Sequence, residues 1–386
     1  MAETQAPEVD YTLNNPDTLT KYKTAAQISH KVLDAVSALC LEGEKIVEIC
    51  QKGDKLLDEE IAKVYKGKKI TKGIASPTTI SPSSYAGENV KIQLGAQIDG
   101  FGTIVCDMVN VPKKDAAKEP ITGPEADLVI ATHHANELLL RLMVPPGLLA
   151  QGTDEEKKKA AAQRAPTQAQ MSALLEKVAK AYGCNVVENT TSWLFDRNEI
   201  EGSKKIILSP GDGVRGDGVP EVGEVWGVEV GLSLGNGKVK NLDHRATLHR
   251  RTTTTYGLKR PSSRQTLSEI VKKFGTFPFS LRQLDDEKAA KVGIVECVRS
   301  GVVRQYEPAG SADNTPVSRL LTTIAITKNG ITKLAAPGAV DLEQYKSDKK
   351  IEDEEILKIL EQPLARSTGN KKNKNKKKTK ATGGDE

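Results

Sequence analysis

The chain has 386 residues, of which 38% are hydrophobic and 28% charged, and its formal net charge is +5. With a mean hydropathy of -0.42, this balance predicts a soluble globular protein of two or three domains, long enough to bury a sizeable core. No apolar run approaches the ~18–20 residues of a membrane-spanning helix, and the acidic first twenty residues lack the apolar stretch of a secretory signal.

The charge is uneven. From Arg366 onward the sequence carries a net +6, and the preceding residues sum to -1. Lys371, Lys372, Lys374, Lys376, Lys377 and Lys378 stand among asparagines with no apolar residue between them. Such a block gains nothing by packing, which predicts a disordered arm for a polyanion such as RNA or DNA.

In chain order, residues 1–18 read as a flexible leader. A helix follows over 21–41, where Ala25, Ile28, Val32, Leu33, Val36 and Leu39 recur near 3.6 spacing. A short helix from residue 45 and another over 55–64 are expected, with Asp54 as N-cap of the second. Residues 67–88, rich in Gly, Pro, Ser and Thr, predict irregular backbone or short strands. Strict alternation over 90–98 predicts a strand, and Asp99-Gly100 a hairpin into a second strand over 103–111.

Helices are expected over 124–143 and 167–182, separated by a polar, Lys- and Gln-rich segment at 151–166. Strand pieces are expected at 186–187, 206–208 and 224–234, with a Gly-rich loop at 211–223. Helices at 267–274 and 285–300, strands at 318–327 and 331–334, and a charged helix at 351–360 complete the reading. Helices and antiparallel strands mix without regular βαβ alternation, so the fold class is α+β.

Little in this chain suggests catalysis. There is no Gly-x-Ser-x-Gly elbow. His133 and His134 are neighbours on a helix, about 100° apart, and cannot readily share a ligand. The stretch 211–218 lacks the Gly-Lys-Ser/Thr of a phosphate loop and the terminal Glu of a calcium loop. The five cysteines, Cys40, Cys50, Cys106, Cys184 and Cys297, include no CxxC pair and read as reduced thiols.

Several motifs carry a family resemblance: Lys52-Gly53-Asp54, Lys72-Gly73-Ile74-Ala75-Ser76-Pro77, Val90-Lys91-Ile92-Gln93-Leu94-Gly95 and Ile98-Asp99-Gly100-Phe101. Tyr256-Gly257-Leu258-Lys259, Phe277-Pro278-Phe279-Ser280-Leu281-Arg282 and Gly293-Ile294-Val295-Glu296-Cys297 continue it in order. Over roughly residues 18–365 the sequence resembles the proliferation-associated and curved-DNA-binding proteins, relatives of type 2 methionine aminopeptidases. The resemblance implies the pita-bread fold over 19–239 and 318–362, an inserted helical subdomain over 240–317, and a disordered basic tail over 363–386.

The aminopeptidases hold two metal ions through two Asp, one His and two Glu. By the resemblance, these positions fall on Gln93, Ile104, Ser192, Glu229 and Leu321. One carboxylate among them cannot neutralise two divalent cations. The expectation is therefore no metal, no cofactor, no catalytic residue and no peptidase activity. A divergent metal-dependent aminopeptidase is the remaining enzymatic alternative.

The resemblance further implies a monomer without membrane attachment, found in the nucleus, nucleolus and cytoplasm. It would bind structured RNA and the large ribosomal subunit in ribosome biogenesis or growth control. Curved DNA and transcription are the alternative. The candidate phosphate-contacting residues are Arg245, Arg250, Arg251, Lys259, Arg260 and Arg264, with Lys66, Lys68, Lys69 and Lys72 as a second patch and the tail lysines as a third.

Overall fold

The computed structural model describes residues 10–82, 89–112 and 119–366. Helix α1 (Pro16–Leu39) starts earlier than its apolar pattern, because Asn15 accepts from the Asp17 N–H at 3.0 Å and Pro16 occupies the first turn. The expected leader therefore gives way to helix before residue 18. Helix α2 (Ile46–Lys63) is one element rather than two. Gly53 lies inside it because a Cβ there would stand 2.5 Å from Thr78 Oγ1, so the glycine marks a close approach and not a break.

Within the segment expected as irregular backbone or short strands, the chain forms one long strand, β1 (Lys72–Pro82). Two register shifts, between Ile74 and Ser76 and between Ser76 and Thr79, erase its period-two signal while leaving it paired to β2 (Asn89–Ile98). β2 turns at Asp99-Gly100 into β3 (Phe101–Asn110), as the alternation predicts.

Helix α3 (Pro124–Leu142) is followed by α4 (Asp154–Ala161) and α5 (Gln168–Ala181). Strands β4 (Asn185–Val186), β5 (Thr190–Phe195), β6 (Lys205–Leu208) and β7 (Val225–Ser233) come next. The strand β5, Thr-Thr-Ser-Trp-Leu-Phe, has no apolar alternation that would reveal it, and it is fixed by pairing with β6 and β7.

Strand β8 (Val239–Asn241) leads into β9 (Leu248–Arg251), α6 (Pro261–Phe274) and β10 (Phe279–Ser280), and then a single 3-10 turn, Leu281–Gln283. Helix α7 (Glu287–Arg299), β11 (Val303–Gln305) and β12 (Ala309–Ser311) complete this part. The chain returns through β13 (Val317–Thr327), β14 (Gly330–Ala335) and α8 (Glu354–Leu360).

The principal sheet runs β1-β2-β3-β13-β7-β5-β6, with β14 on β13 and β4 on β7. Helices α1 and α2 pack on β1 to β3, while α3 and α5 pack on the other half. The alternation along β7 sets the two faces: Trp226, Val228, Val230 and Leu232 join the core under α3, and Gly227 and Glu229 face the opposite side. Helices on one face and a lined hollow on the other make this an α+β pita-bread arrangement.

The segment between β8 and β12 is not wholly helical. Strands β10, β9 and β11 form a small sheet beside α6 and α7, over a core of its own that includes Ile270, Phe279, Ile294, Cys297 and Val303. The two helices expected in this segment are present, and the small sheet stands beside them. A two-stranded ribbon, β8 with β12, joins it to the main sheet. All five cysteines are buried and unpaired. The lysine block from Lys371 lies outside the described residues.

Candidate functional site

The face of the sheet opposite the helices bears a cavity of about 950 Å³, with Ser76, Gln93, Ile104, Trp193, Glu229, Arg319 and Leu321 among its lining residues. Gln93 and Leu321 both pair with Cys106, and Leu321 also pairs with Glu229, so four strands carry these positions to one place. Sequence reasoning thus names four residues that the fold gathers in one hollow.

Ser192 needs correction. It is fully buried, and its Oγ accepts from the Glu229 N–H at 3.0 Å behind the cavity wall. Its neighbours Thr191 and Trp193 line the hollow, as does Phe195 further along β5, as strand alternation requires.

Glu229, the retained carboxylate, is already engaged. Arg319 Nε and Nη2 donate to its two oxygens at 2.7 and 2.8 Å. This fork geometry is the strongest side-chain match available to a carboxylate. Burial alone lowers the pKa of Arg319, but the charge and hydrogen bonds of Glu229 raise it overall, so the guanidinium stays charged. The sequence reading missed Arg319, a lone cation two residues before Leu321 in an otherwise apolar and hydroxylic strand. That anomaly was the available signal.

These residues do not fit the two metal ions of the aminopeptidases. An amide, two aliphatic side chains, a hydroxyl turned away and a carboxylate held by an arginine supply no free anionic oxygen for a pair of hard cations. Among the described residues, no three His, Cys, Asp or Glu side chains are gathered as a metal site. His133 and His134 lie in α3, where burial lowers both pKa values, that of His133 to about 4, and His134 stacks on Tyr182 at 5.9 Å. Both belong to packing.

A second set of ionic contacts fixes the insert over the cavity. Asp54 in α2 accepts from the Thr78 N–H at 2.7 Å and from Arg282 Nε at 2.8 Å, while Arg282 Nη2 donates to the Thr78 carbonyl at 2.6 Å. Asp54 is therefore an anchor and not a helix cap. Burial raises its pKa, and Arg282 opposes that shift.

The expected basic patch divides on inspection. Arg250 is 7% exposed and is paired with Glu199 and with Glu201, which also binds Arg304. It is a structural residue and is removed from the phosphate-contacting set. Arg264 spends Nη1 on the carbonyls of Leu258 and Lys259. Lys72 donates to the Val64 carbonyl at 2.7 Å and is likewise committed. Arg245 is exposed at the cavity wall, and Lys259 and Arg260 are exposed, with Arg251 half-buried. Lys66, Lys68 and Lys69 are exposed after α2, Lys68 over the Tyr65 ring.

The fold and hollow define a protein of aminopeptidase-like architecture with a ligand-poor centre. Comparison with known proteins places it further. It is similar to the curved DNA-binding protein of Schizosaccharomyces pombe, 38% identical and covering 98% of both chains. It is 32% identical to ERBB-3 binding protein 1 of Solanum tuberosum, covering 98% of this chain and 96% of the relative. A solved structure described as a thermophilic Arx1 is 64% identical, with a TM-score of 0.88, covering 91% of this chain and all of that one. No family model matches the sequence. The chain belongs to the family of curved DNA-binding and ERBB-3-binding, proliferation-associated proteins.

Proposed function

We propose that this protein is a non-catalytic scaffold that binds structured RNA and the large ribosomal subunit in ribosome biogenesis or growth control. The observation that carries the reading is the Glu229–Arg319 fork, which neutralises the one carboxylate retained at the aminopeptidase positions. With that oxygen pair occupied and Gln93, Ile104 and Leu321 beside it, the positions that correspond to the aminopeptidase metal ligands offer no free carboxylate to hold a metal or activate water there. Residues of the insert, Arg251, Lys259 and Arg260, together with Arg245 and the lysine-rich stretch, supply phosphate contacts that are blind to sequence. The family names also support binding to curved DNA as a second reading. Nuclear, nucleolar and cytoplasmic residence belongs to the same proposal, as does a monomeric state.

The test is co-sedimentation with purified large ribosomal subunits over a salt series, comparing the full chain with a form ending at Leu364. Stoichiometric binding by both forms at physiological salt is expected. Binding that disappears with the lysine-rich stretch would reject the folded scaffold as the docking element. Release of N-terminal Met from a peptide, dependent on added divalent metal and abolished by Glu229→Gln, would reject the non-catalytic reading.

A further inference from the structure

The Glu229–Arg319 fork lies on the floor of a hollow of about 950 Å³, within the range of about 300–1,000 Å³ typical of small-molecule sites. The sheet forms its floor, and the insert roofs it with Leu248, Pro278, Leu281 and Tyr306. That roof is pinned to the body at three points. Arg282 bonds Asp54 and the Thr78 carbonyl, Phe277 is buried in the core of the first half-sheet, and Arg250 pairs with Glu199 and Glu201. A roof so fastened does not lift to admit a folded chain, and the space suits a free molecule.

The charges around this space cancel in place. Arg319 closes on Glu229 at 2.7 and 2.8 Å. On the walls, Glu201 is held by Arg250, Arg304 and the Tyr306 hydroxyl, Arg282 by Asp54, and Glu287 by Lys291. At the edge, Arg245 and Glu307 stand exposed, one of each sign. A ligand bearing an ammonium or a carboxylate would give up its hydration and meet no free counter-charge inside. The rest of the lining is largely apolar. Ile104, Phe195, Ile200, Leu281 and Leu321 are buried, and Trp193 stands among them.

One polar group on the floor is left over. Gln93 Nε2 donates to Ser76 Oγ at 3.2 Å, while its Oε1 is buried with no partner among the described residues. A buried carbonyl left unbonded costs stability, and such a group in a native fold calls for a reason. In either orientation of the side-chain amide, one end meets the Ser76 hydroxyl and the other is left for a ligand. Arg319 spends Nε and Nη2 on Glu229, and its Nη1 has no partner among the described residues. Two open groups on a charge-balanced floor suit a neutral ligand that both gives and accepts hydrogen bonds, as an amide does.

We infer that the hollow binds a free, uncharged molecule with an aromatic or branched apolar body and an amide group. This site is separate from the basic surface of the insert, and the inference holds whether or not the protein binds RNA.

The experiment uses the full chain and three probes that share one body and differ in charge: N-acetylphenylalanine amide, the ammonium form of phenylalanine amide, and the carboxylate of N-acetylphenylalanine. Trp193 on the cavity wall reports binding by its fluorescence. The second tryptophan of the chain, Trp226, is fully buried in the core under α3 and supplies a constant background. The neutral probe is expected to shift the emission saturably, and both charged probes to bind at least about tenfold more weakly. Gln93→Leu should weaken the neutral probe by about tenfold while binding ethylbenzene, which has no amide, as wild type does. Ammonium-probe binding equal to or tighter than that of the neutral probe overturns the inference, as does the absence of any saturable change with the neutral probe up to its solubility. Unchanged affinity of Gln93→Leu for the neutral probe overturns the amide as the recognised group. Should that variant fail to fold, the comparison of the three probes on wild type still decides the question.

Discussion

Replacing Arg319 with Met tests the central claim about the cavity. The change keeps most of the side chain's length and removes its charge, leaving the Glu229 carboxylate without a partner in the hollow. Exposed ion pairs contribute ~0–1 kcal/mol, while breaking a buried one costs ~3–5 kcal/mol. The two side chains are 36% and 20% exposed, between those limits, so the loss should be about 2 kcal/mol. Urea unfolding followed by far-ultraviolet circular dichroism reads this as a fall in midpoint at unchanged slope. The double variant Arg319→Met/Glu229→Gln removes the stranded charge and should recover at least half of the loss. An Arg319→Met protein as stable as wild type would refute the argument, because Glu229 would then be at ease without its guanidinium and free to serve as a ligand.

Asp54→Ala should cost about 3 kcal/mol or more, since it strands Arg282 and the Thr78 N–H together; thermal unfolding checks it. Gly95→Ala places a Cβ 2.2 Å from the Thr103 carbonyl oxygen, in backbone that cannot yield easily, and should destabilise by about 1–3 kcal/mol in the same assay. Burial, first of all, holds the pKa of His133 in the fold below its ordinary value of 6.5, at about 4. Its unfolded form binds the proton more readily. Its contribution to stability is therefore complete above pH 6.5 and declines as pH falls toward 4. His133→Gln should flatten the fall in unfolding free energy across that window, and an unaltered pH profile would exclude the residue as its source.

Periodicity made the core-packed helices and the β2–β3 hairpin legible, because one face of each meets a core and the alternation survives in the sequence, whereas α4, with no buried residue, lies in the segment 151–166 that reads only as polar. The strand β5 escaped, and β1 reads only as irregular backbone or short strands, for physical reasons. β1 is bulged twice and carries Pro77, and β5 is held by pairing on both sides with hydroxyl-bearing residues at several positions. Within the cavity, local motifs located Gln93, Ile104, Glu229 and Leu321, whose offsets are fixed by strand register. Ser192 is buried behind the wall while Thr191 and Trp193 line the hollow, and in a strand one residue is the whole difference between facing the hollow and facing away. The roles of Arg250 and Arg282 were invisible because a cation's partner lies far along the chain: Glu199 and Glu201 for the first, Asp54 for the second.

Phe277 belongs to the insert by sequence, yet it is 3% exposed within the core of the first half-sheet, against Gly102 and Ala75. Shortening the insert by trimming between β8 and β12 would therefore open a hole in a part of the molecule more than a hundred residues away along the chain. The insert expressed alone would carry an uncovered phenylalanine and guanidinium groups without their acids. The appendage and the body are thus one folding unit, tied through residues of α2, β1 and β3.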